Sequence, residues 1–134
     1  MPWHPGTPLP SLDEMEMLAR AAFQALPESF RALTGGILFA VQDFPDTETV
    51  AKLGLENGLQ LLGLFHGAPL SAHLTNMAGP EPTRITLYRM PILNFWADSP
   101  DDLPAIVRHV LVHEIGHHFG LSDADMEAIE AAAD

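Results

Sequence analysis

The stretch His113-Glu114-Ile115-Gly116-His117-His118-Phe119-Gly120-Leu121-Ser122-Asp123 governs how the rest of the chain is read. His113 and His117 are four residues apart, so on a helix both imidazoles leave one face, a turn apart, where two rings reach a single ion. Glu114 stands one residue round from His113, so its carboxylate reaches a water on that ion without ligating it. Gly120 is a left-handed helix stop, and a chain that bends back there can return Asp123 as a third ligand. Two imidazoles and a carboxylate fill three tetrahedral positions and leave the fourth for water, the arrangement of a catalytic zinc site. With Gly required at 120 and an acid or His at 123, the pattern arises by accident in very roughly one comparable chain in three thousand.

The helix that carries these residues is well marked. Ser99-Pro100-Asp101-Asp102 supplies N-caps and negative charge at the positive end of the helix dipole. Pro104 fits only a first turn, so the helix is expected to begin near Asp101 or Asp102. Leu103, Ile106, Val107, Val110 and Leu111 form its apolar face. Ser122 with Asp125 resembles a capping box and opens a last helix through Ala133. Its acids Asp125, Glu127 and Glu130 read as a solvated face.

Upstream, Ser11 and Glu14 form another capping box, and Leu12, Met15, Leu18, Ala22 and Leu26 recur at helical spacing until Pro27. A helical turn is expected over Glu28–Leu33, a buried strand over Ile37–Val41 and a weak helix or helical loop over Asp46–Leu55. Asn57-Gly58 marks a turn before the apolar run Leu59–Phe65. Ser71–Pro82 reads as a loop, and Ile85–Met90 alternates as a half-buried strand that Pro91 ends. The order α, β, β, β, α, α predicts an α+β fold, a small sheet packed on helices. One domain is expected over residues 11–134, after a flexible Pro-rich leader over residues 1–10.

Composition narrows the partners. The 134 residues leave room for one core, and no apolar run approaches the length of a bilayer span. A net charge of −12 argues against nucleic acid and anionic membrane, both of which need a cationic footprint. Met1-Pro2-Trp3-His4 has no basic n-region or apolar h-region, so a cytoplasmic location is expected. With no Cys in the chain, any zinc site must be built from His and carboxylate.

The segment His113–Asp123 resembles the extended motif H-E-x-x-H-x-x-G-x-x-D of the small bacterial zincin-like metallopeptidases, sometimes called minimal zincins. Leu62–Leu70 is similar to that family's segment between sheet strands, and Arg84–Leu93 to its strand leading toward the active helix. The family has Gly where Met90 aligns here. The resemblance, over roughly residues 11 to 128, implies a small zincin-like domain with a short mixed sheet on helices that include the metal-binding one. It implies one Zn2+ per chain on His113, His117 and Asp123, with Glu114 as catalytic base. The substrate would be a peptide or a flexible protein segment.

The remaining candidates are helpers. His118 lies about 100° round the helix from His117 and is expected to pack or to support the ligands. His109 sits about 12 Å along the axis from His117, so it cannot share one ion with both His113 and His117. It can border the cleft. His66, Tyr88 and Arg89 are the kinds of group that stabilise an oxyanion, although Tyr88 and Arg89 read better as ties between elements. His73 flanks a Gly-Pro loop, and Met126 reads as core. Two further function classes stay open beside the peptidase: a metal-bearing binding or regulatory module with little turnover, and an amidase of small non-peptide substrates.

Overall fold

In the computed structural model, residues 8–66 and 83–133 are described. The loop read over Ser71–Pro82, His73 and the first seven residues lie outside them. Helix α1, Leu12–Gln24, opens with the expected capping box: Glu14 N donates to Ser11 Oγ, and Ser11 N to Glu14 Oε1. Its buried stripe, Met15, Ala19 and Phe23, recurs every four residues. A short α2, Glu28–Arg31, and a tight 3-10 turn, Ala32–Thr34, follow Pro27.

The sheet has three strands, β1 (Leu38–Gln42), β2 (Gly63–His66) and β3 (Arg84–Tyr88), in the order β1-β3-β2. β1 runs parallel to β3 with Leu38 opposite Arg84, and β2 antiparallel with His66 opposite Arg84. The sheet is mixed and the architecture α+β, as expected. Two strand readings are corrected. The first strand is not buried: β1 is an edge strand, and Leu38 is exposed. The strand before Pro91 is not half-buried: β3 is central, and Ile85, Thr86, Leu87 and Tyr88 are all buried. A middle strand covered on both faces loses the alternation that an outer one shows.

Helix α3, Thr47–Lys52, confirms the weak helix, capped by Asp46 Oδ1 on Thr49 N. Helix α4, Arg89–Ala97, is the largest departure from the reading, because Pro91 does not end a strand there. It occupies the first turn of a helix that leaves β3 without a loop, where its missing N–H is not needed. Arg89 fixes this junction by donating from Nε to Pro10 O at 2.6 Å and pairing with Asp43 at 3.1 Å.

Helix α5, Leu103–His118, has Asp102 as N-cap and Pro104 in its first turn, as expected. α1 packs on β1 and α5 on β2, and the two helices meet over the core. Gly63 sets how closely α5 approaches the sheet: a Cβ there would lie 2.9 Å from Val110 Cγ1 and 3.3 Å from the Thr86 carbonyl oxygen. Gly63→Ala is therefore expected to destabilise the fold by about 1–3 kcal/mol, the usual cost of overpacking. Thermal unfolding would measure it.

Candidate metal centre

Residues His113–His118 form the last turns of α5. The helix stops as the sequence demands: Gly120 takes φ +76, Gly120 N donates to His117 O at 3.1 Å, and Leu121 N to Gly116 O at 2.9 Å. This 6→1 and 5→2 pair satisfies the last carbonyls and turns the chain back. Helix α6, Asp123–Ala131, then starts at its Ser122 and Asp125 capping box and packs against α5. Met126, fully buried, anchors the contact. It fills the space above Gly116, where a Cβ would lie 2.5 Å from its Sδ. The bare backbone at Gly116 is what lets α6 come this close.

His113 and His117 project from neighbouring turns of α5, ring centroids 5.6 Å apart and nearly perpendicular. His113 is half-buried, His117 exposed. Burial is the main influence holding the His113 pKa below the usual imidazole value, with His109 next. Glu130 and, more weakly, Asp123 oppose this as carboxylates near the ring. A neutral imidazole is the form that ligates a metal. Asp123 is the first residue of α6 and exposed.

Glu114 is half-buried, and that desolvation raises its pKa above the ordinary carboxylate value, with His117 acting the other way. The sign for stability follows. A carboxyl with a raised folded pKa adds stability below its unfolded pKa and loses it as pH rises through the folded value. In ion-free protein, Glu114→Gln is therefore expected to raise the melting temperature at pH 7 relative to wild type. At pH 3.5 the gain should largely disappear. Melting curves at the two pH values would reveal an equal gain at both, the result at odds with a desolvated charge.

The neighbouring residues divide as follows. The His118 ring lies 4.6 Å from Phe65 and 5.2 Å from Phe119, which gives it the packing role expected. Arg89 is engaged with Pro10 and Asp43, the tie that the sequence suggested. Tyr88 is buried, and its hydroxyl pKa is raised chiefly by burial, with the Glu114 charge among the lesser causes. His66 is exposed at the end of β2. An apolar hollow of about 450 Å³ between Phe44, Leu59, Met90, Leu93 and Trp96 has no titratable side chain in its lining, so it offers no acid, base or ligand.

Glu130 is the residue that the sequence reading missed. Rather than belonging to a solvated face, its side chain is 19% exposed and turned onto α5. His109 Nδ1 lies 3.0 and 3.2 Å from its two oxygens, and His113 Nε2 lies 3.5 Å from Oε2. The His109 and His113 ring centroids lie 3.9 Å apart, with the rings tilted by 36°. Among the described residues, His109, His113 and Glu130 are the His and acidic groups whose ligand atoms converge closely enough to hold a metal ion, all within 4.8 Å. His117 and Asp123 stand outside that group. His109 borders a cavity of about 330 Å³ together with Asp101, Arg108 and Glu130.

A small mixed sheet backing a histidine-bearing helix, with a carboxyl-bearing helix folded onto it, is a metallopeptidase-type architecture. The chain belongs to the zincin-like metallopeptidase family, whose model matches residues 34–133. No curated protein matches it. The donors fit zinc, the metal typical of that family: neutral imidazole nitrogen and carboxylate oxygen with no thiolate. Among the described residues, no helix is long and apolar enough to cross a membrane.

Proposed function

We propose that the protein is a zinc metallopeptidase hydrolysing bonds in peptides or exposed flexible segments of proteins. His113, His117 and Asp123 hold one ion, and Glu114 is the general base. The observation that carries this reading is Glu114: a desolvated carboxyl of raised pKa, one residue from His113, in a chain of the zincin-like family. Zinc, when bound, would supply polarisation of the scissile carbonyl and acidification of the attacking water.

The chain's own groups do the rest. The Glu114 carboxylate takes the water proton on one oxygen and hands it to the leaving amine nitrogen. A pKa raised by burial suits both halves of that transfer. Burial keeps His113 neutral and ready to ligate. The tilted ring contact of His118 with Phe65 holds the last turn of α5 against β2, which keeps the rim of the site in place.

The test is cleavage of a diverse peptide mixture by the zinc-loaded protein, before and after chelation and after zinc is restored. Cleavage that chelation stops and zinc restores supports the peptidase. Full zinc with no cleavage of any peptide would leave a metal-bearing binding module in its place.

A further inference from the structure

We propose that His109, His113 and Glu130 form a second seat for a divalent cation, and that it excludes the first because both need His113. The exclusion rests on the reading above that His113, His117 and Asp123 hold the catalytic ion. The seat itself rests only on geometry. Tetrahedral zinc with bonds near 2.0–2.1 Å sets its ligand atoms about 3.3 Å apart. Here the Glu130 oxygens stand 3.0 and 3.2 Å from His109 Nδ1, and Oε2 stands 3.5 Å from His113 Nε2. The donors are two imidazoles four residues apart on α5 and a carboxylate from α6, again a nitrogen and oxygen set with room for a fourth ligand.

The two seats differ in place and consequence. Moving from the pair 113 and 117 to the pair 109 and 113 shifts the ion one helical turn, about 6 Å, toward the start of α5. His117, which neighbours Glu114 electrostatically, takes no part in the second seat. An ion held there is out of register with the base and unproductive. The His109 side chain is 56% exposed and borders the cavity of about 330 Å³, so the second seat is open to solvent, as the first is at His117 and Asp123. A single His113 Nε2 lone pair binds one ion, so occupancy of either seat empties the other. The second seat thus parks the metal in an inactive position and sets how much of the bound ion is in service.

Cobalt(II), which reports its coordination by visible absorption, tests this on the full chain. The double variant H117A/D123A keeps only the second seat and is expected to bind one Co2+ per chain. Adding H109F should then weaken that binding by more than about 100-fold, beyond the effect of losing a supporting partner. H109F/E130Q keeps only the first seat and is expected to bind one Co2+, with a spectrum distinct from that of H117A/D123A. Wild type should bind one ion, not two. The exposed side chains changed at 109 and 117 leave the core intact, and far-UV circular dichroism checks folding of every variant.

If folded H117A/D123A binds no Co2+ while H109F/E130Q binds it as wild type does, the second seat is refuted and the first reading stands. If H117A/D123A binds and H109F/E130Q does not, the seat is upheld and the ligand set proposed above falls. Two ions on wild type would overturn the exclusion.

Discussion

Glu114→Gln is expected to lower peptide cleavage by the zinc-loaded protein about 10²–10⁴-fold, the range that a positioned general base contributes. The substitution keeps the shape of the side chain and removes its capacity to accept a proton. Metal content should stay near one zinc per chain, because Glu114 is a base in this mechanism and not a ligand. Steady-state rates and elemental analysis on the same preparation separate the two roles. A rate close to wild type at full zinc would exclude Glu114 as the base, and loss of zinc along with activity would make it a ligand. The same variant is expected to be more stable than wild type without the ion, since the charge lost is the one that burial disfavours. Lower activity with higher stability in a single substitution would be the mark of a group held in an unfavourable place for its chemistry.

The helix beneath the site was legible because each of its signals is local. Asp102 caps it, Pro104 sits in its first turn, and Gly120 ends it with a left-handed residue. The packing roles of His118 and Met126 were legible too, since both follow from angular position on a helix. Three features were hidden, each for a physical reason. Pro91 looked like a terminator, because nothing in its neighbours distinguishes the end of a strand from the first turn of a helix. The strand over Ile85–Met90 looked half-buried, because the burial of Thr86 and Tyr88 depends on what covers the second side of β3. Glu130 looked like one more solvated acid, seventeen residues beyond His113. Only the reversal at Gly120 and the docking of α6 turn it onto the histidines. The local grammar of helices is in the sequence, whereas the second carboxylate of this site is a product of tertiary packing.

Met126→Ala is expected to cost about 2–5 kcal/mol of stability, as deletion of a fully buried side chain usually does. That is a large share of the roughly 5–15 kcal/mol available to a domain. The effect should extend to the metal although Met126 touches no ion. Asp123, Met126 and Glu130 stand at i−3, i and i+4 on α6 and so share one face. On that face, Met126 is the anchor between two acids, locked onto Gly116 of α5. Without it, α6 loses its fixed height over α5, and both carboxylates lose their position relative to His113. Zinc affinity is therefore expected to fall by at least about tenfold, as when support for a metal ligand is lost. Met126→Leu conserves volume, so it should cost under about 1.5 kcal/mol and leave affinity near wild type. Unfolding curves of the ion-free proteins and zinc titrations at a temperature where all are folded keep the two effects apart. Wild-type affinity in folded Met126→Ala would mean that neither acid of α6 holds the ion, and the metal would then rest on the histidines of α5 alone.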